Sequence, residues 1–600
     1  MSAPPNPEQS AAPQAARSAP APAPKLPVVN SRLSRFFSGA TLPEGQFFFF
    51  LSLVIGIFGG LSVVCFRLTI DSMRQWLLGS SLRPPLPEVV LVPVVAGLCV
   101  AVLVLLVFPQ VRGSGVNQTK AAVYIFDGRV PFNTIIGKFV TCALGIGSGQ
   151  SLGPEDPSLQ IGAGIASALG RRMHLSREKL RLIAPVGAAA GLAAAFNSPI
   201  SAVLFVIEEV IGNWNAGVLG AVVVSAVASV TVARWFLGDA PLFRVPAFHL
   251  RHPVELLAYV VLGIASGYFS VFFLKTVLTL RPRLQKLPRW SHYLQPAVAG
   301  LLIGVIGIKC PQVMGAGYDY IDQALHDQFA WQFLLLLAAL KLVSTSASFA
   351  SGTPGGLFAP VLFMGAMLGG AVGGFENHFF PSLSTHAGSF ALVGMGTLFA
   401  GIMRVPMTSI FMVIEITGDY SVIVPVMISN AIAYFISRRH QRVTLFDELS
   451  RQDGIALPSM EERREQRALL VENAMRWFRA PALAATDAVS VARERAASAS
   501  EPYLLVRGES GWGAFPAELL ADGRAAAAAS LESLCTFRNL PTLHPDEGLE
   551  TALRLLENRP LLPVVRRTDQ NSLQGVVGLQ EILQAYRRDE EAGHSPPSPS

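Results

Sequence analysis

The segment NSPISAVLFVIEEV (residues 197–210) is repeated 207 positions later as RVPMTSIFMVIEIT (residues 404–417). Three more segments recur in the same order, 202 or 203 positions later: PQVRGSGV (109–116) as PQVMGAGY (311–318), GKFVTCALGIGSG (137–149) as LKLVSTSASFASG (340–352), and GPEDP (153–157) as GLFAP (356–360). Four collinear matches predict two copies of a unit of about 200 residues. In membrane proteins such repeats commonly place the substrate between the copies, near the bilayer midplane.

The composition indicates a membrane protein. Of 600 residues, 51% are hydrophobic and 15% are charged, and the mean hydropathy is +0.44, which is too apolar for an ordinary soluble chain. Residues 89–108 contain no polar side chain, and a membrane span needs roughly 20 apolar residues. Runs interrupted by Gly and Pro, at 147–167 and 352–374, predict half-helices or re-entrant segments enclosed by protein. We therefore expect an all-α protein that crosses the membrane several times.

Charge and composition predict the domain order and the orientation. Basic residues precede the first span and follow the last one, at Arg32, Arg35, Arg438, Arg439, His440 and Arg442. Both termini are therefore expected in the cytoplasm. Residues 1–30, rich in Pro and Ala, are expected to be disordered, and they lack the apolar core of a signal peptide. The membrane domain is expected at 31–450, with repeats at about 45–250 and 251–450.

The composition changes after Leu449, where charge rises and the long apolar runs stop. Residues 451–600 contain two similar units, each with the pattern helix, strand, turn, strand, helix, and the last residues are expected to be disordered. In the second unit LLPVV (561–565) and GVVGL (575–579) predict short strands. A preceding apolar stripe predicts a helix through Leu549, Ala552, Leu553, Leu555 and Leu556. We expect a cytoplasmic α/β pair of modules.

Several functional classes are excluded by pattern. The five cysteines are scattered without a CxxC or Cys/His spacing, so no metal site is expected, and they are interpreted as small buried hydrophobic residues. No nucleophile–base pair or phosphate loop indicates an enzyme, and nothing calls for a cofactor. The net charge of +6 is spread over the flanks and the tail without an aromatic-interleaved basic stripe, which argues against nucleic acid as a partner.

The GSG motif is the first candidate site. Gly113 and Gly115 permit a close approach of the backbone to a ligand, and the Ser114 hydroxyl can donate a hydrogen bond. A helix that starts near Val116 would aim its free N–H groups at the same point and favour an anion. Taken alone, the motif is more typical of glycines that pack helices. Its degenerate copy GAG, at residues 315–317, favours the functional interpretation.

Acidic residues in apolar surroundings mark the second candidate site. Glu155 and Asp156 lie in the otherwise uncharged stretch 142–160, and intramembrane acids usually mark a transport path or a proton relay. A surface loop would be the alternative, but the second copy of this motif, GLFAP, is wholly apolar. Glu208 recurs as Glu415 and is expected to be structural. Glu209 has Ile416 as its counterpart, which makes it a candidate for a proton path.

These motifs, the stretch 187–210 and the paired tail units together resemble the CLC family of chloride channels and chloride/proton antiporters with CBS domains. The resemblance covers roughly residues 45–590. It implies two inverted repeats of broken helices, a homodimer in the lipid bilayer of the inner (plasma) membrane, and one anion pathway per subunit. The implied activity is chloride/proton antiport. The alternatives are a passive chloride channel and, less favoured, a fluoride exporter or a sensor based on the CBS tail.

The resemblance also implies roles for single residues. Ser114, with Gly115, would bind the central chloride through its hydroxyl, while Gly356, Leu357 and Phe358 would lie at a helix start that offers backbone N–H groups to the anion.

For protons, the resemblance implies that Glu155 is the gating glutamate, which competes with chloride while ionised, and that Glu209 passes protons to and from the cytoplasm.

Departures from the family pattern change these expectations. Pro154 has no N–H, and Asp156 adds negative charge, either as a helix N-terminal acid or as a functional group. An external anion site should therefore be weak, with Glu155 in an anion site or displaced. Phe446 replaces the tyrosine whose hydroxyl usually touches the central chloride, which predicts a purely hydrophobic inner gate.

Two further positions depart from the family. Lys120 stands where some members have a buried acid, and it would either pair with Glu208 or Glu209 or be solvated. In the tail, Gly578 and Glu581 replace residues through which CBS domains often bind adenine nucleotides. Their replacement argues against nucleotide binding and favours a structural or dimer-stabilising tail.

Overall fold

The computed structural model describes residues 44–593 except 80–85, 174, 176, 213–215, 240, 244, 246–253, 381–385, 419, 456, 458–468, 479–481, 500, 509–510, 521–529, 546 and 567–568. Residues 1–30 and the last residues, for which disorder was expected, lie outside these described residues. Arg32 and Arg35 also lie outside them. The chain divides into two compact units, Met1–Ile455 and Ala456–Ser600.

The first unit is helical and contains the same series of eight helices twice. The first series is α1 (Glu44–Leu78), α2 (Leu86–Val102), α3 (Gly115–Tyr124), α4 (Phe132–Gly147), α5 (Glu155–Arg172), α6 (Arg177–Phe196), α7 (Pro199–Phe205) and α8 (Ala216–Leu237). The second is α9 (Glu255–Gln285), α10 (Ser291–Lys309), α11 (Tyr318–Leu325), α12 (Trp331–Ala350), α13 (Phe358–Phe379), α14 (Ala387–Met403), α15 (Pro406–Thr417) and α16 (Ile423–His440). A last helix, α17 (Leu445–Gln452), follows. π-Helical turns extend α2 and α7. Within the described residues, nine helices are long and apolar enough to cross a membrane.

The two series meet through reciprocal contacts. The N–H of Gly153 donates to the carbonyl of Gly356, and the N–H of Gly356 donates back to the carbonyl of Gly153, both at 2.8 Å. Helices α2 and α10 approach each other in the same reciprocal way, since a Cβ on Gly97 would lie 2.5 Å from the Pro296 carbonyl and one on Gly300 would lie 2.2 Å from the Pro93 carbonyl. The sequence repeat is therefore a structural repeat, and the predicted membrane fold is confirmed.

A buried lysine supports the glycine loop of each series. The Lys138 ammonium donates to the carbonyls of Val111 at 3.1 Å and Gly113 at 2.7 Å. Its counterpart Lys341 donates to the carbonyls of Val313 at 3.0 Å and Gly315 at 2.7 Å. In both series these bonds satisfy carbonyls of an irregular segment, and they fix the loop ahead of the next helix.

Glu208 and Glu415 each cap a helix of the other series. Glu208 accepts hydrogen bonds from the N–H groups of Met407 at 3.2 Å and Thr408 at 2.8 Å, at the start of α15. Glu415 accepts from the N–H groups of Ile200 and Ser201, both at 2.8 Å, at the start of α7. The hydroxyls of Ser198, Ser201 and Thr408 add further bonds to these carboxylates. The prediction of a structural acid at this shared position is confirmed.

The second unit is an α/β region. Strands β1 (Leu483–Ala484), β2 (Tyr503–Gly508), β3 (Gly511–Pro516) and β4 (Phe537–Leu540) form one sheet in that order, with β1 and β2 parallel and the other pairs antiparallel. Strands β5 (Leu562–Arg566) and β6 (Asp569–Val577) form an antiparallel pair. The α-helices in the described part of this unit are α18 (Val471–Ala474), α19 (Val489–Ala499), α20 (Leu549–Leu556) and α21 (Leu579–Gly593).

The second module follows its predicted pattern closely. Strand β5 lies within one residue of LLPVV, whereas β6 begins at Asp569, six residues before GVVGL, and ends at Val577. The apolar stripe on α20 buries Leu549, Ala552 and Leu556, whereas Leu553 is 45% exposed.

Cys535 packs against residues of β2 and β3. Burial raises the pKa of its thiol to about 11, so this cysteine is an inert core residue.

Removal of the cross-cap should weaken the contact between the repeats. Glu415→Ala leaves the N–H groups of Ile200 and Ser201 without their carboxylate, which should cost roughly 1–3 kcal/mol of stability. Glu208→Ala should have a similar effect because its contacts are equivalent. Thermal unfolding in detergent, followed by size-exclusion fluorescence, measures the change, and Glu415→Gln, which keeps an acceptor oxygen, should lie closer to wild type. An unchanged melting temperature in Glu415→Ala would contradict the capping role.

Candidate anion and proton pathway

The first part of the site is the start of α3. Ser114 precedes this helix with an extended backbone, so the N–H groups of the first turn have no acceptor within the helix. The buried carboxylate of Asp156 fills this position. Its Oδ1 accepts from the Ser114 hydroxyl at 3.1 Å and from the Val116 N–H at 2.7 Å, and its Oδ2 accepts from the Gly115 N–H at 2.9 Å. The donors predicted for chloride thus hold a carboxylate of the protein itself.

Glu155 points to a different helix start. Its Oε2 accepts from the Ala359 N–H at 3.3 Å in the first turn of α13, and its Oε1 accepts from the Tyr318 hydroxyl. The Glu155 and Asp156 side chains are buried and belong to consecutive residues, yet each contacts a different helix. The surface-loop alternative for GPEDP is therefore wrong.

The other predicted donors lie at this second helix start. Leu357 precedes α13 and Phe358 is its first residue, so their N–H groups belong to the set that a helix start leaves without helical acceptors. The Gly356 N–H already donates to Gly153. Leu357 and Phe358 thus have the position expected for anion donors, whereas the Gly356 amide is used in the bridge between the repeats.

Aromatic rings enclose the region around Phe358. The Phe358 ring lies 5.1 Å from Phe205, 5.5 Å from Phe399 and 6.3 Å from Phe446, measured between ring centroids. Phe196 stacks on it at 6.0 Å. Phe446 is buried and contributes no hydroxyl, so this part of the site offers apolar surface only.

Glu209 belongs to a buried cluster of charges. The Lys120 ammonium lies 2.7 Å from Glu209 Oε1 and 2.9 Å from Asp447 Oδ1. The Lys120 side chain is fully buried, whereas the side chain of Asp447 is 11% exposed. Of the alternatives for Lys120, pairing with Glu209 is confirmed, and pairing with Glu208 or solvation is wrong, because Glu208 is turned toward α15.

Tyr318, whose hydroxyl donates to Glu155, also lines a cavity. It has a volume of about 360 Å³, and its lining includes Arg67, Asp71, Arg74, Pro154 and Tyr318. We refer to it as the Tyr318 cavity. Since Tyr318 also donates to Glu155, one hydroxyl connects a buried carboxylate with a polar cavity.

Sequence reasoning missed two members of the site, Tyr318 and Asp447. Both directly follow a residue that it had singled out: Tyr318 ends the repeated PQVMGAGY motif, and Asp447 comes after Phe446. Their partners, however, are 163 and 327 residues away along the chain. Among the described residues, no group of three or more His, Cys, Asp or Glu side chains could hold a metal ion.

The repeated broken helices, the buried acids and the helix starts define a multi-pass membrane transporter. The family model "Voltage gated chloride channel" matches residues 96–438, more than half of the chain, and the model "CBS domain" matches residues 533–588. The chain therefore belongs to the CLC family of voltage gated chloride channels and transporters, with a CBS domain in its tail.

Relatives of the chain include both kinds of CLC protein. It is 31% identical over 419 residues to a ClcB-like chloride channel protein of Ralstonia nicotianae, with 68% of this chain and 97% of the relative covered. It is 28% identical to the H⁺/Cl⁻ exchange transporter ClcA of Vibrio campbellii, with 68% and 90% covered. The crystal structure of a slow cyanobacterial Cl⁻/H⁺ antiporter shares the fold, with a TM-score of 0.63, 24% identity, and 68% of this chain and 98% of that chain covered.

Lys120 should be essential for stability. Lys120→Met removes the ammonium that both Glu209 and Asp447 contact, and breaking a buried ion pair in this way costs roughly 3–5 kcal/mol. We expect a large fall in the melting temperature of the purified protein. Lys120→Arg, which keeps the positive charge, should retain much of the stability. Equal melting temperatures for Lys120→Met and wild type would show that the cluster contributes little.

Proposed function

We propose that the protein exchanges chloride for protons. One observation carries the proposal: the buried carboxylates of Glu155 and Glu209 each contact a side chain that leads to a cavity or to a partly exposed acid. Glu155 contacts Tyr318, which lines the Tyr318 cavity, and Glu209 contacts Lys120, which also contacts the partly exposed Asp447. Buried acids with such connections are typical of proton relays. The Vibrio relative, named as an exchange transporter, supports the same activity.

In this proposal the anion binds at the helix starts. Ser114 and Gly115 offer a hydroxyl and an N–H at α3, and Leu357 and Phe358 offer N–H groups at α13. A helix start favours negative charge through its N–H groups and its dipole. Phe446 acts as the apolar inner gate, which an anion passes without a hydrogen bond from that side chain.

The proton path has two acids with different neighbours. Glu155 takes up and releases protons through Tyr318 and acts as the gate at α13. The second acid of the proton path, Glu209, shares the single ammonium of Lys120 with Asp447. The cluster of these three side chains therefore carries one excess negative charge. It can bind one proton and become neutral. Asp447 is the more exposed acid and exchanges this proton with water. Glu209 then passes the proton into the interior of the protein.

A passive chloride channel is the second candidate. The contact between Lys120 and Glu209 favours it, because Glu209 already has a cationic partner and therefore need not carry protons. The two candidates differ in whether a chloride gradient drives protons uphill. A fluoride exporter and a CBS-based sensor find no comparable support in the contacts of the site.

Membership of the CLC family supports a homodimer in the inner (plasma) membrane, and the basic residues that flank the spans support cytoplasmic termini. In the tail we propose a structural role without nucleotide. Glu581 accepts from the Arg476 guanidinium at 2.6 Å and from the Gly578 N–H at 3.1 Å, and Glu501 accepts from Arg476 at 2.9 Å. Although burial opposes its charge, these hydrogen bonds raise the pKa of Arg476. Glu581, at the position of a nucleotide-binding residue, is thus engaged within the protein.

Neutralising Glu155 should stop proton transport. The Glu155→Gln side chain keeps its size but cannot carry a proton between the Tyr318 cavity and the site, so anions should pass without protons. Proteoliposomes with a chloride gradient, read simultaneously for chloride and internal pH, provide the measurement. Uphill proton movement in Glu155→Gln would contradict the role, and its absence in wild type would favour the channel.

Glu209 should be required for protons but not for chloride. In Glu209→Gln, Lys120 retains Asp447, so one ammonium still faces one carboxylate and the protein should fold. The same proteoliposomes should then show chloride flux with proton movement reduced at least about tenfold, which corresponds to a proton-transfer barrier higher by roughly 1.4 kcal/mol or more.

Glu208→Gln provides a matched control, because this neighbouring acid caps α15 and its replacement should leave coupling in place. Full coupling of protons to chloride in Glu209→Gln would show that Glu209 is a structural acid, and it would favour the passive channel as the function.

A further inference from the structure

We propose that Asp156 is a tethered anion that closes the Ser114 site, so that chloride binds there only after this carboxylate has left. We call it the inner gating carboxylate, in distinction from Glu155. The inference rests on the proposed function in that it takes the start of α3 as an anion site. It assigns to Asp156 a role separate from the proton path through Glu155 and Glu209.

The contacts make Asp156 and chloride mutually exclusive. The Asp156 carboxylate accepts from the Ser114 hydroxyl and from the N–H groups of Gly115 and Val116, at 3.1, 2.9 and 2.7 Å. These groups are three of the donors at the start of α3, and they include the Ser114 hydroxyl. A chloride ion at the same place would have to share them with a negative charge a few ångströms away, and in a buried site like charges at that distance repel strongly.

The second repeat argues against a purely structural role for this acid. There Lys341 holds the carbonyls of Val313 and Gly315 just as Lys138 holds those of Val111 and Gly113. The residue equivalent to Asp156 in that repeat is Ala359. The glycine loop is thus supported by its lysine without any acid at this position, and Asp156 is an addition made only on the side that carries Ser114.

The closed state should respond to protonation. A protonated carboxyl group accepts weaker hydrogen bonds from a helix start than a carboxylate does, because the charge-assisted part is lost. Proton binding at Asp156 would therefore release the donors of α3 to chloride. The titratable groups that interact electrostatically with Asp156 are Lys138 and Cys142 of α4 and Glu155 of its own helix.

Chloride titration calorimetry on the purified full-length protein tests the proposal. At pH 7.5, Asp156→Gly and the isosteric Asp156→Asn should bind chloride at least about tenfold more tightly than wild type, since the competitor is gone. At pH 5 the affinity of wild type should rise toward that of the variants, whose own affinity should change little. Adding Ser114→Ala to Asp156→Asn should remove most of the gain, which would place the binding at Ser114.

Two results would overturn the proposal. One is an unchanged chloride affinity in both Asp156 variants, provided that they elute as monodisperse protein. The other is a gain that persists in the Ser114→Ala double variant, because the chloride would then bind elsewhere. Neither result depends on proton transport. A wild-type protein that moves no protons would refute antiport and leave the Asp156 assignment standing, while unchanged affinities would do the reverse.

Discussion

A helix that starts at membrane depth has N–H groups that no lipid can satisfy, and this constraint organises the whole membrane unit. Four such starts receive a carboxylate from another helix. Glu415 caps α7 and Glu208 caps α15, while Asp156 contacts α3 and Glu155 contacts α13. Helix-start N–H groups thus give all four carboxylates hydrogen-bond donors, which explains how a largely apolar protein can retain them.

The internal symmetry separates the four acids into two kinds. Glu208 and Glu415 occupy equivalent positions and cap each other's repeat, so each is required for the packing of the repeats. Glu155 and Asp156 have Phe358 and Ala359 as counterparts, so the fold places no acid at the equivalent positions of the second repeat. An acid that the symmetric fold can do without on one side is available for function. This argument applies also to Glu209, whose counterpart is Ile416.

The sequence was sufficient for the architecture and for the positions of the acids, but not for their contacts. Repeated motifs predict repeated helices because identical local patterns fold alike, and the shared position of Glu208 and Glu415 predicted a shared role. Side-chain direction is a different matter. Glu155 and Asp156 are consecutive, and only the packed structure sends one to α13 and the other to α3. The partners of Lys120 lie 89 and 327 residues away, a distance over which no local pattern specifies a contact.

The arrangement around Ser114 has a consequence for the energetics of transport. Phe446 and Phe358 present rings 6.3 Å apart, so an anion that enters this region exchanges water for apolar surface before it reaches a donor. In a family member with a tyrosine at the gate, a hydroxyl would compensate part of that cost. In the proposed pathway the compensation comes from the donors at the starts of α3 and α13, and Asp156 already uses three of those at α3. If Asp156 acts as proposed, an anion binds at the start of α3 only after this carboxylate has been displaced, and protonation is one way to displace it because the charge-assisted hydrogen bonds are then lost.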